Sequence, residues 1–456
     1  MSLSCLNPVG EFAKRASHLK DYRPCVKKGV NKERGTIKRA RRPSPCRAVA
    51  GREGPGYGRP VVGWRGESMA PGKRAKALRR SLIPGALLFL ALGALVSSAF
   101  YIRRPRGAIT LEGPGMAMPG GGPEHVSYLP AAPRGNLREL WSTRLEAEIP
   151  GPCAVTADRV FAGCRNGFLY CLDLDGGRPL WLFDVKGEIT SMPSVFEGGV
   201  VVSTGDGRVV CVDGKGGLLW EVEVGGSVLS SPVPSGKRVY FTSLDGFLYC
   251  VDAARGSERW RFQADAPLEV SPCIYEGQVL CASYEGTLFA LDAGSGRLLW
   301  SARLQGLPVC FPVADEGRVF QVTDAELRCA DSQSGKTLWS LALGGKVLSN
   351  PAVRGNQVVL LVGGPGEGSF LLSLDARTGD RLWEVALGVE TGKANILATN
   401  NDIYLATSDR VLALEWETGA PTLRYETEGA LPLTLTVTEN RLLVGTERRK
   451  VFCLGE

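Results

Sequence analysis

Short apolar stretches separated by turn residues fill the chain from about residue 137 to its end. The dipeptide Asp245-Gly246 lies between two runs of strand-forming residues, 239–241 and 247–249. Such a dipeptide forms a two-residue turn whose twist matches that of antiparallel strands. Equivalent dipeptides stand at Asn166-Gly167, Asp206-Gly207 and Glu285-Gly286. The pattern therefore predicts an all-β protein built from antiparallel hairpins.

A repeat of about 40 residues organises these hairpins. Its clearest marker is a set of seven tryptophans, spaced by 40, 39, 40, 40, 39 and 44 residues: Trp141, Trp181, Trp220, Trp260, Trp300, Trp339 and Trp383. Six of them follow a turn of the form Asp-x-x-x-Gly, with one turn shorter by a residue: Asp173, Asp213, Asp252, Asp292, Asp331 and Asp375. The next copy is degenerate, with Leu423 at the Trp position. Because Asp bonds nearby backbone N–H groups and Gly supplies positive φ, we interpret Asp and Gly as turn residues and Trp as a packing residue.

Each repeat contains four short strands. Strand A lies around a recurring Pro, found at 152, 193, 232, 272, 312 and 351; strands B and C form the hairpin; strand D starts at the Trp. A four-stranded unit of this size buries little surface by itself. Stacked radially, such units form a β-propeller.

The number of strands predicts a closed ring. Complete sets start near residues 148, 189, 227, 267, 307, 346 and 390, which gives seven blades. The chain then supplies strands A, B and C of an eighth at 433–437, 441–445 and 450–454, and a lone D strand precedes the first set at 140–143. We therefore predict an eight-bladed β-propeller over 137–456, with four-stranded antiparallel blades and the N-terminal strand closing the last blade. Closure of this kind leaves no long exposed sheet edge.

An uncharged apolar run precedes the propeller. Residues 82–102 number 21, enough at about 1.5 Å per residue to cross a hydrocarbon layer of about 30 Å. We interpret the run as one transmembrane helix, with a cleaved signal sequence as the alternative. Five basic residues lie just before it and three just after it. This bias places the N-terminus in the cytoplasm and the propeller outside, in the periplasm or at the cell exterior.

The flanks of this run have the composition of unfolded chain. Residues 1–81 hold 21 Lys and Arg against 5 Asp and Glu without apolar periodicity, which predicts disorder. They form either a basic arm that touches anionic lipid or nucleic acid, or an over-long gene start, with Met69 as the true one. Residues 103–136 are rich in Gly and Pro and predict a flexible linker. The remainder after residue 81 carries 33 basic and 42 acidic residues, so we expect no nucleic-acid binding by the propeller.

The spaced Asp-x-x-x-Gly-x-x-x-Trp motif resembles the PQQ-like, or quinoprotein-type, β-propeller repeat. The resemblance covers 137–456 and implies this fold. The family includes PQQ-dependent alcohol and sugar dehydrogenases, which use a bound Ca²⁺, a catalytic Asp and often a disulfide between adjacent cysteines. It also includes non-catalytic propellers, such as the scaffold lipoprotein of the outer-membrane β-barrel assembly machine. The resemblance therefore leaves two kinds of function open.

The residues favour the non-catalytic kind. No Cys-Cys pair and no long insertion between blades is present, and both histidines precede the propeller. An Asp that recurs in nearly every blade is interpreted as a turn residue, so we predict no catalytic residue, cofactor or metal. The expected function is that of a membrane-anchored scaffold that binds a protein or peptide partner. The alternative is a PQQ-dependent dehydrogenase of alcohols or sugars.

Two further features carry hypotheses. Ten cysteines fall in the propeller, and four stand two residues before a turn Asp, where other blades have Ala or Ser. A small-residue position of this kind favours buried free thiols over disulfides, and metal ligation lacks CxxC spacing. The loop Gly363-Gly364-Pro365-Gly366-Glu367-Gly368 breaks the repeat between strands B and C of blade 6. It lacks the Gly-Lys-Ser/Thr ending and the following helix of a phosphate-binding loop. We therefore interpret it as an enlarged hairpin loop, with a partner contact as the functional alternative.

Overall fold

The computed structural model describes residues 128–129, 133, 136–364, 368–388, 396–399, 401–407, 410–426, 432–438 and 440–456. The predicted disordered segment, the predicted transmembrane helix and most of the predicted linker lie outside these residues. All regular structure in the described residues is β-strand, apart from turns and bends. None of these residues belongs to a helix long and apolar enough to cross a membrane.

The strands of the described residues number 34 in chain order. Two precede the first blade: β1 Tyr128–Leu129 and β2 Arg138–Arg144. Blades 1 to 4 comprise β3 Ala154–Val155, β4 Arg159–Gly163, β5 Phe168–Asp173, β6 Pro179–Asp184; β7 Ser194–Phe196, β8 Gly199–Ser203, β9 Arg208–Val212, β10 Leu218–Glu223; β11 Val233–Ser235, β12 Arg238–Thr242, β13 Phe247–Asp252, β14 Glu258–Gln263; β15 Cys273–Tyr275, β16 Gln278–Ala282, β17 Thr287–Asp292, β18 Leu298–Arg303.

Blades 5 to 8 comprise β19 Val313–Asp315, β20 Arg318–Val322, β21 Glu326–Asp331, β22 Thr337–Ala342; β23 Lys346–Val347, β24 Ala352–Arg354, β25 Gln357–Gly363, β26 Ser369–Asp375, β27 Arg381–Ala386; β28 Ile396–Thr399, β29 Asp402–Ala406, β30 Arg410–Glu415, β31 Pro421–Glu426; β32 Pro432–Val437, β33 Arg441–Thr446 and β34 Lys450–Gly455.

Eight separate sheets form, and each contains an antiparallel A–B–C–D meander. The eighth sheet has the order β2-β34-β33-β32, so its D strand comes from the N-terminal end of the propeller. Trp141 in β2 pairs with Cys453 in β34, as the tryptophans of other blades pair with strand C. The predicted eight-bladed propeller and its closure by the N-terminal strand are confirmed.

The A strands lie at the centre of the ring, where those of neighbouring blades contact one another, as β15 does β19. The D strands form the outer rim. Since strand direction alternates, the B–C hairpins lie at one end of every blade, and the C–D turns and A–B loops lie at the other. We call these ends the hairpin face and the turn face.

The core lies between consecutive sheets. One buried cluster joins Val201 and Trp220 of blade 2 to Phe241 and Tyr249 of blade 3, and comparable clusters fill the other gaps described. Nearly every residue of strands B and C is therefore buried, because both faces of these strands pack on neighbouring sheets. The stability of each blade consequently depends on its neighbours.

The A strands depart from the sequence expectation. In blades 1 to 6 they begin one or two residues after the Pro, as Val233 follows Pro232, and they do not extend around it. Proline has no N–H to donate, so it tends to start a strand at its edge. The upstream segment forms only isolated bridges, such as Ile189 with Thr204, and the short strand β23 in blade 6.

A second departure lies in the predicted linker. Residues 128–129 form β1, which pairs in parallel with β28, the A strand of blade 7. The sequence pattern predicts a flexible linker here and no strand. Because a pairing of two residues leaves no periodic signal, hydrophobic patterning alone does not detect it.

Candidate interaction surface

The repeated tryptophans join each blade to the next. In seven blades the indole Nε1 donates a hydrogen bond of 2.8–3.2 Å to a backbone carbonyl in the C–D turn of the following blade: Trp141 to Leu174, Trp181 to Gly214, Trp220 to Ala253, Trp260 to Ala293, Trp300 to Ser332, Trp339 to Ala376 and Trp383 to Trp416. The acceptor is in each case the residue that follows the first residue of the turn motif. This contact explains why the Trp and the turn recur with the same period.

The turn glycine makes room for the same indole. Gly256 has φ +69, and a Cβ at this position would meet atoms of the Trp220 ring at 2.8 Å. The corresponding glycines of the other turns, from Gly177 to Gly419, meet the Trp of the preceding blade in the same way. Positive φ and the missing side chain are therefore both needed at this position.

The turn aspartates stabilise their own turns. Asp292 accepts hydrogen bonds from the Ser295 hydroxyl at 2.6 Å and from the Ser295 amide at 2.7 Å. Asp331 makes the same pair of bonds with Ser334. These bonds favour the carboxylate and lower the pKa of both aspartates. The carboxylates thus serve the turn, which agrees with their interpretation as structural residues.

The small residue of strand C lies opposite the Trp. Cys171, Cys211, Cys250 and Cys329 pair across the sheet with tryptophans, as do Ala290 and Ser373. A large side chain opposite an indole would overfill the gap between the sheets. This cross-strand contact explains why the position accepts Cys, Ala or Ser.

None of the ten cysteines between 153 and 453 forms a disulfide, and all ten are buried. Burial raises the pKa of Cys153, Cys171 and Cys211 to about 12. A thiol in this state has little thiolate and hence little reactivity near neutral pH. The cysteines are therefore packing residues in this structure.

The junction between blades 7 and 8 differs from the others. Strands β34 and β2 of blade 8 come from opposite ends of the propeller, so no C–D turn joins them. Leu423 in blade 7, which occupies the Trp position, has no turn carbonyl in blade 8 to which an indole could donate. The sequence showed this substitution, but only the topology gives its reason.

The N-terminal segment compensates at this junction. In blade 3, the Tyr240 hydroxyl donates to the carbonyl of Ala293 in the turn of blade 4. Tyr404 is the equivalent residue of blade 7, and its hydroxyl donates to the carbonyl of Pro133 at 2.6 Å. Both Tyr404 and Pro133 are buried. Pro133 thus takes the place of the missing turn.

No metal-binding cluster occurs among the described residues: no three or more His, Cys, Asp or Glu side chains lie close enough to hold an ion. A Ca²⁺ ion needs six to eight oxygen ligands, usually with carboxylates among them. The turn carboxylates lie one per blade around the turn face and do not converge. The described residues therefore do not fit the Ca²⁺-bound quinone of the dehydrogenases.

The hairpin face carries a departure from the regular repeat, which is the B–C hairpin of blade 6. Blade 6 has seven-residue B and C strands, whereas these strands have five or six residues in the other blades. Lys346 and Val347 of β23 pair with the end of β25, at Gly363 and Val362. The amide of Gly364 donates to the carbonyl of Gly368 across the base of the loop at 2.7 Å. Residues 365–367 lie outside the described part of the chain.

Acidic residues of three other blades lie on the same hairpin face. Asp265, Glu285 and Asp324, from blades 3 to 5, are exposed there. Arg303 lies within 4.0 Å of Asp265 and 3.5 Å of Glu285, so part of this charge is balanced. No sequence pattern marks these three residues, since each occupies an ordinary loop position in its own blade.

A shallow cavity of about 370 Å³ opens between blades 2 and 3. Val222, Val224 and Tyr249 form its apolar part, and Glu223 and Arg261 are among its charged residues. The Tyr249 hydroxyl donates to Asp245 at 2.7 Å, and desolvation raises the Tyr249 pKa. The hydroxyl is therefore held neutral within a blade-to-blade contact.

A ring of blades joined by Trp-to-turn contacts defines a quinoprotein-type, PQQ-like β-propeller. A family profile described as outer membrane protein assembly factor BamB matches residues 132–225, 205–310, 303–400 and 367–454. The chain belongs to this family.

Individual relatives are distant. The outer membrane protein assembly factor BamB of Moranella endobia is 27% identical over 254 residues, which are 49% of this chain and 64% of that protein. The match to BamB of Yersinia pestis, at 24% identity, covers 54% of that protein, so the chain spans less than two thirds of either relative. BamB of Shewanella oneidensis is 24% identical over 59% of this chain and 71% of its own length.

Solved structures share the fold. BamB from Moraxella catarrhalis superposes with a TM-score of 0.58 at 21% identity, over 71% of this chain and 98% of that one. Quinohemoprotein alcohol dehydrogenase from Comamonas testosteroni gives 0.64 at 13% identity, over 75% and 80%. At these identities the likeness concerns the fold alone.

Proposed function

We propose that this protein is a non-enzymatic scaffold of outer-membrane protein assembly, with its propeller outside the cytoplasm and residues 82–102 as its membrane anchor. Membership of the family whose profile is described as an assembly factor carries the proposal. The contacts of the repeat residues support it, because the aspartates, tryptophans and cysteines hold the blades together. The partner is a protein or peptide.

The contact surface that we propose is the hairpin face, including the loop Gly363–Gly368. Loops on a rigid frame are common binding elements. The longer strands of blade 6 support this choice, since β23 and the bond between Gly364 and Gly368 brace the base of the loop.

Photocrosslinking in native membranes tests the proposed surface. A photoreactive residue at Gly368 or Glu285 places the probe on the hairpin face. The matched controls are Glu276 and Glu316, which are exposed in A–B loops on the turn face. We expect a discrete protein adduct from the first pair and little from the second. Equal labelling from both faces would contradict the proposed surface.

The alternative function is PQQ-dependent oxidation of alcohols or sugars, as in the enzymes that share the fold. Adding PQQ and Ca²⁺ to the purified protein separates the two. We expect neither quinone uptake nor dye reduction with alcohols or sugars. A bound quinone absorbance accompanied by dye reduction would establish the enzyme and remove the scaffold proposal.

A further inference from the structure

The A strand of each blade has one edge that faces the central axis of the ring. An open strand edge presents N–H and C=O groups that can pair with another chain. In seven blades a proline limits this edge, because it stands within two residues before the A strand or is its first residue: Pro152, Pro193, Pro232, Pro272, Pro312, Pro351 and Pro432. A proline at this position lacks the donor that pairing needs.

Blade 7 is the exception. No proline occurs between residues 366 and 420, so its A strand β28 carries no such block. β28 has four residues, whereas the A strands of blades 1 to 6 have two or three. Among the eight described A strands, β28 is therefore the one whose inner edge no proline limits.

The chain's own β1 lies on this edge. Tyr128 pairs with Ala398 and Leu129 with Thr399, in parallel. β1 also contacts β24, the A strand of blade 6, so it lies on the inner wall of the ring. The edge without a proline is thus the one that accepts an added strand.

Strand β28 extends beyond the described pairing with β1. β1 pairs with the last two residues of β28, and Ile396 and Leu397 precede them on the same strand. The surroundings are largely apolar, since Ile396, Leu397 and Ala398 of β28, and Ala352 and Val353 of β24, are buried. An extended segment rich in β-branched or apolar residues and free of proline matches this edge.

We propose that the inner edge of blade 7 is a binding site for an extended polypeptide segment, which pairs in parallel with β28 and takes the place of β1. The chain's own residues 128–129 fill the site when no partner strand is present. Pro133, anchored by Tyr404, keeps the displaced segment close to the ring. This inference does not depend on which protein the scaffold serves.

A peptide with this chain's own sequence from 124 to 132 provides the probe. In the full-length wild-type chain, β1 competes as a tethered ligand, whose effective concentration is on the order of millimolar. The double variant Tyr128→Pro/Leu129→Pro removes the backbone donors of β1. We expect the labelled peptide to bind this variant at least about tenfold more tightly than wild type, as measured by fluorescence anisotropy. The variant Tyr128→Ala/Leu129→Ala keeps the donors and should behave like wild type.

Equal binding to wild type and to the proline variant, or no binding to a folded proline variant, would overturn the proposal. The peptide N-methylated at the positions of 128 and 129 must also fail to bind. Should the proline variant not fold, the variant Tyr128→Cys/Ala398→Cys joined by a short bismaleimide gives a second measurement. Excess peptide should at least halve the crosslinking yield. An unchanged yield would likewise overturn the proposal.

Discussion

Gly256 of blade 3 lies directly against the indole of Trp220 of blade 2, so close that a Cβ would come within 2.8 Å of the ring. The same Trp donates to the carbonyl of Ala253 at 2.8 Å. The Gly of the Asp-x-x-x-Gly-x-x-x-Trp motif therefore contacts the Trp of the preceding blade, although the motif itself lies within a single blade.

The first prediction separates this contact from backbone strain. Gly256 and Gly277 have similar positive φ, +69 and +76, but nothing lies within 4 Å of a Cβ at Gly277. Gly277→Ala should cost about 1–2 kcal/mol, from the left-handed conformation alone. Gly256→Ala should cost about 1–3 kcal/mol more, because the indole must also move. Urea unfolding of both variants measures the difference, and equal costs would disprove the contact.

The second prediction concerns the missing eighth Trp. Trp383→Leu should cost about 2–4 kcal/mol, since it opens a cavity and leaves the Trp416 carbonyl without the indole donor. Leu423→Trp, which makes the repeat more regular, should not stabilise the protein. Leu423 is buried and blade 8 offers no turn carbonyl, so we expect a cost of about 1–3 kcal/mol. A stabilised Leu423→Trp variant would show that the explanation is wrong.

The third prediction tests ring closure through the backbone of β2. The Leu145 amide donates to the Arg449 carbonyl. Backbone N–H groups along an antiparallel strand point alternately toward and away from the partner strand. The Thr143 N–H is therefore directed toward β34, and the Ser142 N–H is directed outward. Thr143→Pro should therefore cost about 1–3 kcal/mol more than Ser142→Pro. Thr143→Ala controls for the lost hydroxyl bond to Gly177. Similar melting temperatures for both proline variants would argue against closure by β2.

The fourth prediction concerns acid stability. The pKa values of Asp292 and Asp331 are lowered in the folded state, first by the Ser295 and Ser334 hydroxyls. Their stabilisation is present above the unfolded pKa, about 3.9, and is lost as the pH falls through the lower folded values. Asp292→Asn/Asp331→Asn should flatten the fall of the unfolding free energy below about pH 4. Urea titrations from pH 7 to pH 3 measure the slope, and an unchanged slope would refute the assignment.

The repeat made most of the fold predictable. Seven tryptophans at near-constant spacing, with one strand before the first blade and three after the seventh, indicated both the number of blades and the closure. The reason for the motif was not predictable, because Trp220 and Gly256 contact each other across a gap between sheets that sequence spacing does not show. β1 was missed for a different reason. A pairing of only two residues with β28 leaves no periodic signal in the sequence.

The proposed interaction surface was predictable only in part. The loop Gly363–Gly368 stood out because it interrupts the repeat, and the structure adds the longer strands and β23 beneath it. The exposed residues Asp265, Glu285 and Asp324 come from three blades and share a face only after the ring has closed. A surface assembled in this way has no signature in any single segment.

The central claim is that the protein serves the assembly of outer-membrane proteins without catalysing a reaction. The most direct measurement is the folded fraction of outer-membrane β-barrel proteins, read from their heat-modifiable gel mobility, in cells that lack this protein. We predict that the folded fraction falls, and that the wild-type chain restores it equally with and without added PQQ. An unchanged folded fraction in cells without the protein would contradict the account.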